Sequence, residues 1–273
     1  MGNLASIGHT PRLSALVAPV PVRQFLQEFW PERIFQSHGA LSRLPPVFRS
    51  PALASFRALA ARYQGWLGFG RGAQGSRMVS VQQINPAHLY EMGLSVYLPD
   101  IAPSVPGADE LLRQLEHELG LAEGCARMTV WASPKGDGAP THFDGEDVFS
   151  IQLAGSKRFE VAPMTDYAYP VGAQYAPGAA AYDEMYAQIR DGFPDATGVS
   201  FQAVEMKPGS VLFVPRGTWH RTAAAEDSFA VSIGLNPPSI AETFLDQLRY
   251  VLLQDPKWRR PVRARGRGEP LED

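Results

Sequence analysis

Thr141-His142-Phe143-Asp144-Gly145-Glu146-Asp147-Val148-Phe149-Ser150-Ile151-Gln152-Leu153-Ala154-Gly155-Ser156-Lys157-Arg158-Phe159 is the stretch from which the fold can be read. Asp147 to Leu153 and Lys157 to Ala162 are short runs of β character, and Ala154-Gly155-Ser156 between them is a turn. The same texture continues on both sides. Met128 to Ala132, Ser210 to Val214 and Phe229 to Leu235 repeat it, with Lys207-Pro208-Gly209 as a further turn. Many short strands punctuated by Gly and Pro predict an antiparallel barrel or jelly roll, mainly β, with flanking helices.

Within that stretch His142 and Asp144 stand two residues apart, so in an extended segment both side chains project to one side and can share a metal. A second histidine follows 76 residues after Asp144, in Pro215-Arg216-Gly217-Thr218-Trp219-His220, read as a turn beyond the run Ser210 to Val214. Two imidazoles and a carboxylate on adjacent strands make the facial triad that holds non-haem Fe(II) and leaves coordination positions open. The same donors suit Mn or Zn, and by themselves they do not choose. An isolated His-x-Asp also arises by chance, and a histidine beside a tryptophan is often a packed core residue. Lys157, 15 residues after His142, adds the deciding weight. An ammonium deep in an apolar barrel is costly unless it meets an anion, and the distal carboxylate of 2-oxoglutarate is such an anion. The competing reading is a solvated turn lysine; by strand alternation Arg158 is the member expected to face solvent.

Outside the barrel, residues 1–21 are rich in Pro, Ala and Ser without periodicity and read as an N-terminal arm. Val22, Phe25, Leu26, Phe29 and Trp30, and then Leu53, Phe56, Leu59, Ala60 and Tyr63, fall on one face at helical spacing. Asn85-Pro86 reads as an N-cap followed by Pro at the first helical position. Leu111, Leu112, Leu115 and Leu119 before Gly120 describe a helix with a glycine stop. The domain plan is thus the arm, a catalytic domain over 22–240 with N-terminal helices in 22–120 and a barrel core in 127–236, and 241–273 as a C-terminal helix with a basic tail. Residues 164–198 read as an insertion between barrel strands, whose Tyr167, Tyr169, Tyr175, Tyr182 and Tyr186 either pack the loop or cover a substrate. After Pro237-Pro238, Ser239 and Glu242 form a capping box. Ile240, Phe244, Leu245, Leu248, Val251 and Leu252 then give a wide apolar face, expected to pack on the barrel or to join two copies in a homodimer.

With 273 residues, 45% of them hydrophobic and 19% charged, the chain has the composition of a soluble globular protein. A net charge of -3 and a pI near 6.1 give no global attraction to nucleic acid or an anionic membrane. Lys257, Arg259, Arg260, Arg263, Arg265 and Arg267 form a local basic run, read as a solvated tail. The single cysteine, Cys125, excludes an intramolecular disulfide and suits the cytoplasm. No run approaches the roughly 20 apolar residues of a membrane span.

The motif Gly136-Asp137-Gly138-Ala139-Pro140-Thr141-His142-Phe143-Asp144, its continuation through Gly155-Ser156-Lys157-Arg158-Phe159, and the later Lys207-Pro208-Gly209 to Trp219-His220 together resemble the JmjC group of cupin-fold 2-oxoglutarate oxygenases. Within that group the chain is similar to the ribosomal-oxygenase-like branch, which also begins with a segment like Phe25-Leu26-Gln27-Glu28-Phe29-Trp30. The likeness spans Val22 to Pro256 and is strongest between Met128 and Leu235. It implies a double-stranded β-helix, metal ligation by His142, Asp144 and His220, and Lys157 as partner of the 2-oxoglutarate distal carboxylate. Two departures stand out. Where the branch has Asn and Tyr lining the keto-acid pocket, this chain has Met128 and Val130, leaving Trp131, Thr141, Ser150 and Thr222 as candidates to supply the missing contacts. The branch also carries a winged-helix domain after the barrel, which is not expected here.

The resemblance implies an oxygenase that uses Fe(II), 2-oxoglutarate and O2 to hydroxylate a C–H bond, with release of succinate and CO2. Asp144 speaks against halogenation, because a halide needs the coordination position this carboxylate fills; N-demethylation begins with the same hydroxylation and stays open. The expected substrate is an amino-acid side chain in a peptide or protein. Rival readings are a natural-product peptide or free amino acid, a metal-dependent isomerase or keto-acid-independent dioxygenase, and a non-catalytic metal-binding cupin that serves as an interaction module.

Overall fold

The computed structural model describes residues 12–71, 79–81, 84–165, 167–172, 174–175 and 194–262, and the chain divides into two compact units, Met1–Asn236 and Pro237–Asp273. The first unit opens with α1 (Arg12–Val17), α2 (Val22–Glu28), β1 (Phe35–Ser37), α3 (Phe56–Ala60), β2 (Leu67–Gly70), β3 (Val79–Val81), α4 (Pro86–Glu91), β4 (Ser95–Leu98) and α5 (Ala108–Leu119). The remaining strands are β5 (Ala126–Ser133), β6 (His142–Phe143), β7 (Asp147–Ala154), β8 (Lys157–Ala162), β9 (Gln174–Tyr175), β10 (Gln202–Met206), β11 (Val211–Val214), β12 (Trp219–Ala224) and β13 (Ser228–Leu235). They form an eight-stranded sheet, β1-β11-β7-β13-β5-β4-β2-β3, and a five-stranded sheet, β10-β8-β12-β6-β9, with every pairing antiparallel. This is the mainly β architecture expected from the sequence.

Alternation along the strands divides the work of the large sheet between its two faces. Met128, Val130 and Ala132 of β5, Phe149 and Ile151 of β7, Phe213 of β11 and Val231, Ile233 and Leu235 of β13 enter one apolar core together with the N-terminal helices. Phe25 of α2 anchors that core, with ring centroids 5.2 Å from Phe35, 5.9 Å from Phe149 and 5.7 Å from Phe213. Fully burying one such ring is worth about 1.5–3 kcal/mol. The opposite face of the same strands turns into the barrel. Part of the barrel interior is filled by a second apolar cluster, Phe159, Val161, Val204, Met206, Leu212 and Val214, which joins β8 and β10 to β11. The other inward positions of β5, β7, β8, β12 and β13 are largely polar, with Thr129, Ser133, Ser150, Gln152, Lys157, His220 and Ser228 all buried, and this polar strip of the interior is called the slot below.

The helix ends follow local chemistry. Asn85 caps α4 by accepting from the Ala87 amide over 3.0 Å, and α5 ends at Gly120 in the left-handed conformation, φ +70°. The segment expected as an arm differs from expectation in that Arg12 to Val17 are helical, with Leu13, Leu16 and Val17 fully buried. The reason lies far along the chain: the Glu118 carboxylate accepts from the amides of Arg12 and Leu13 over 2.8 and 3.0 Å and so caps α1. A neighbouring glutamate, Glu116, is buried and accepts from the Ala126 amide over 2.7 Å, fixing the start of β5. Of the aromatic insertion, Tyr167 is buried and Tyr169 exposed, whereas Tyr182 and Tyr186 lie outside the described residues.

The second unit consists of α6 (Ile240–Leu252) and a short 3-10 turn at Pro256–Arg259. The capping box is formed: Ser239 Oγ accepts from the Glu242 amide over 3.1 Å, and the Glu242 carboxylate accepts from the Ser239 amide over 2.7 Å. No residue of α6 is buried, and Phe244, Leu245, Leu248 and Val251 are all exposed.

Candidate metal centre

Strand pairing, rather than a turn, delivers the second histidine. His220 is the second residue of β12 and pairs directly with His142 of β6, which sets the two imidazole centroids 4.0 Å apart. Asp144, two residues beyond His142, turns to the same side. Its Oδ1 lies 3.9 Å from His142 Nε2 and its Oδ2 lies 3.5 Å from His220 Nε2. One donor atom from each of the three side chains falls within 4.8 Å of the other two. Residues missed as strand in the sequence, Trp219 to Ala224, are thus what aligns the triad.

Local hydrogen bonds hold each donor. His142 Nδ1 donates to the Pro140 carbonyl over 2.8 Å and His220 Nδ1 donates to the Thr218 carbonyl over 2.9 Å. A carbonyl only accepts, so both Nδ1 atoms carry a hydrogen, and both Nε2 atoms face Asp144, where the neutral ring offers a lone pair and the protonated ring an N–H. That is the tautomer a metal-binding histidine needs. The turn before β12 is tied down twice: Gly217 donates its amide to the Asp144 carbonyl over 2.8 Å, and the Arg216 amide donates to Asp147 Oδ1 over 2.9 Å. Burial, reinforced by the neighbouring His220, pushes the His142 pKa down to about 4 and so keeps its imidazole neutral near pH 7. For His220 burial acts in the same direction, but the hydrogen bond and charge of Asp144 outweigh it and the pKa is raised. Asp144 itself is held down at about 2: burial opposes ionisation, and the hydrogen bond from His220, the two imidazoles and Arg127 overcome it. Two imidazole nitrogens and an ionised carboxylate within 4.8 Å of one another fit a divalent metal.

Gly138 shows how tightly the approach to His142 is built. Ala139 donates its amide to Thr222 Oγ1 over 2.9 Å, Thr222 returns its own amide to the Ala139 carbonyl over 3.0 Å, and a Cβ on Gly138 would lie 1.9 Å from the Thr222 carbonyl oxygen. Gly138→Ala is therefore expected to displace this segment, costing about 1–3 kcal/mol of stability and weakening metal binding. Thermal unfolding with and without added metal reads both effects.

The other sequence candidates fall at different depths. Lys157 is 4% exposed and points inward from β8, whereas Arg158 faces outward, paired with Glu160 and Glu205. Lys157 Nζ donates to Ser133 Oγ over 3.2 Å, and burial pushes its pKa down to about 8 against an opposing pull from Asp137. Trp131 is on the slot face of β5 and stacks on Tyr97 at 4.4 Å. Ser150 is buried on the slot face of β7, in register with Ser232. Thr222 serves as the strut described above, and Thr141 borders an exterior groove of about 410 Å³ together with Arg158, Glu160 and Arg221. Met128 and Val130 are corrected by the strand register. They point into the outer core, and the residues of β5 that line the slot are Arg127, Thr129, Trp131 and Ser133. Two features of the slot were not anticipated. Ser133 is one; the other is an ion pair beside the triad, Arg127 Nη2 to Glu146 Oε1 at 2.7 Å, for which Gly234 leaves room, since a Cβ there would meet Glu146 Oε2 at 2.6 Å.

Comparison with known proteins finds similarity in sequence and in fold. Residues 113–243 match the JmjC domain family. A protein of uncharacterised activity from Bacillus subtilis (strain 168), YxbC, is 23% identical over 256 residues, covering 90% of this chain and 77% of that protein. The ribosomal protein uL16 3-hydroxylase of Escherichia coli (strain K12) is 28% identical over 132 residues, covering 47% of this chain but only 30% of the hydroxylase. The solved structure of YcfD, a ribosomal oxygenase from Escherichia coli in complex with cobalt and 2-oxoglutarate, superposes with a TM-score of 0.54 at 20% identity, covering 93% of this chain and 63% of that one. At that identity the likeness is one of fold.

Proposed function

We propose that this chain, which carries a JmjC domain over residues 113–243, is an Fe(II)- and 2-oxoglutarate-dependent oxygenase that hydroxylates a C–H bond of an amino-acid side chain. The observation that carries the reading is a slot with the His142, Asp144 and His220 donors at one level and the buried Lys157 at another. Lys157 is in register with Ala224 on β12, four residues beyond His220, or roughly 13 Å of strand. A five-carbon keto diacid and the four-carbon stem of a lysine fill that span between them. When bound, the metal and keto acid supply the oxidising chemistry. The chain's own residues hold the imidazoles in one tautomer, keep Asp144 ionised, present an ammonium to the distal carboxylate and narrow the access of water.

Titration of the anaerobic protein with Fe(II) and 2-oxoglutarate, followed by measurement of succinate after O2 is admitted, tests this assignment. Metal binding without any keto-acid binding overturns it and leaves the non-catalytic cupin. We favour a peptide or protein substrate, in keeping with the uL16 hydroxylase, with hydroxylation rather than demethylation as the outcome. One feature supports a free amino acid as second reading: Arg127 and Glu146 offer one charge of each sign beside the metal carboxylate, as a zwitterion requires. Mass spectrometry for a gain of about one oxygen atom, on peptides and on free amino acids, separates the two.

The reading places the protein in the cytoplasm, in keeping with one free cysteine; among the described residues no helix is long and apolar enough to cross a membrane. The apolar face of α6 is assigned to a homodimer. Phe244→Glu with Leu248→Glu is expected to leave a monomer of unchanged metal affinity in sedimentation experiments, and a wild-type protein that is already monomeric at micromolar concentration removes the assignment.

A further inference from the structure

The three donors of the metal centre are not held alike. His142 and His220 belong to β6 and β12 and pair directly with each other. Asp144 belongs to no strand, since β6 ends at Phe143 and β7 begins at Asp147. Its side chain is also the most open of the three, 28% exposed against 10% for His142 and 8% for His220. Among the described residues its carboxylate has no hydrogen-bonding partner besides the two imidazoles. The place of Asp144 therefore depends on what the short link, residues 144–147, is fastened to.

It is fastened to the turn that leads into β12. Thr218 donates its amide to the Pro215 carbonyl over 3.1 Å and Gly217 is left-handed, φ +76°, so residues 215–218 form a closed β-turn. Both central amides of the turn are given to the link. Gly217 donates to the Asp144 carbonyl over 2.8 Å, and Arg216 donates to Asp147 Oδ1 over 2.9 Å. Asp147 Oδ2 lies in addition 3.5 Å from Arg216 Nε. One carboxylate thus grips Arg216 by its backbone and by its side chain, four residues before His220.

The grip is withdrawn from water. Asp147 is 4% exposed, and a Cβ on Gly217 would lie 3.0 Å from Pro170 Cδ while one on Gly145 would lie 2.6 Å from the Gly172 amide nitrogen, so residues 170–172 cover turn and link alike. Taking two charges out of water costs about as much as their attraction returns, and a well-packed apolar pair of similar volume is often as stabilising or more so. The ion pair is also incomplete: Arg216 Nη2 is buried without a partner among the described residues. Stability alone does not account for such a pair. What a carboxylate supplies here, and an apolar side chain cannot, is a strong acceptor for the turn amide.

We propose that Asp147 is a positioning residue of the metal centre: by fastening residues 144–147 to the turn before β12, it sets the Asp144 carboxylate at its place against the two imidazoles. The proposal rests on the metal centre assigned above and concerns how that centre is held, through a residue that is none of its three donors.

The test uses the full chain, Co(II) as the probe and no turnover. Visible absorption of bound Co(II) reports the number and arrangement of its ligands. Asp147→Leu with Arg216→Met replaces the pair by apolar side chains and leaves no buried charge. Its unfolding temperature without metal is expected to stay close to that of the wild type. Its Co(II) affinity is expected to fall about tenfold or more, as on losing an outer partner of a metal ligand, and the absorption bands of the saturated protein are expected to change. Asp147→Asn with Arg216→Met returns an acceptor for the turn amide and should restore the wild-type bands. A folded Leu-Met variant with wild-type affinity and bands overturns the proposal. So does weaker binding with unchanged bands, which is what a general loss of rigidity gives. Wild-type protein that binds no Co(II) overturns the metal centre itself. Should the Leu-Met variant not fold, Asp147→Ala is judged by the same two readings.

Discussion

Asp144→Ala is expected to abolish keto-acid turnover and to weaken divalent-metal binding by more than about 100-fold, beyond the 10–100-fold typical of losing an outer-shell partner. Asp144 is the only carboxylate among the three donors, and its oxygens face both Nε2 atoms. Removing it leaves two buried neutral imidazoles with no charge to offset that of the cation. The geometry of the histidines should survive, because His142 and His220 are held through Nδ1 by Pro140 and Thr218 rather than by the carboxylate. Metal content after dialysis and metal titration measure the loss, and the unfolding temperature without metal should change little. A variant that keeps wild-type metal affinity would place the metal elsewhere.

The second large effect is expected at Lys157. Lys157→Ala should weaken 2-oxoglutarate by about 100-fold or more, since it leaves a buried carboxylate without its counter-charge, while metal binding persists. The pH dependence supplies an independent check. Burial holds this ammonium at about 8 instead of the usual value near 10.5, with Asp137 pulling upward. The charged form, which attracts the carboxylate, dominates below that pH and is lost as pH rises through it. Affinity for 2-oxoglutarate should therefore fall from about pH 8 upward, and Asp137→Asn should move the fall to lower pH. Binding that is flat between pH 7 and 10, or indifferent to Lys157→Ala, would remove the lysine from the site.

Much of this site was legible because it is written in local spacing. His142 and Asp144 two residues apart need only an extended backbone to share a side, and Lys157 at the start of a run after Gly155-Ser156 needs only alternation to separate it from Arg158. What escaped depends on partners remote in the chain. The helix Arg12–Val17 is capped by Glu118, more than 100 residues away, so a Pro- and Ala-rich segment looked like a loose arm. β12 has little apolar character beyond Trp219, and becomes a strand through its pairing with β8 and β6. Met128 and Val130 differ from expectation by parity: a one-residue difference in register exchanges the two faces of a strand. The positions that match the branch's Asn and Tyr lie on the core face here, and the place of Ser133 depends on β13, which sets Ser228 opposite it.

That parity shapes how the protein can change. On β5 the residues Arg127, Thr129, Trp131 and Ser133 belong to the slot, whereas Met128, Val130 and Ala132 between them belong to the outer core. Neighbours in the chain thus answer to different demands, one to folding and the next to recognition. Variation can retune what the slot accepts, one alternate position at a time, while the interleaved residues keep the scaffold as it was.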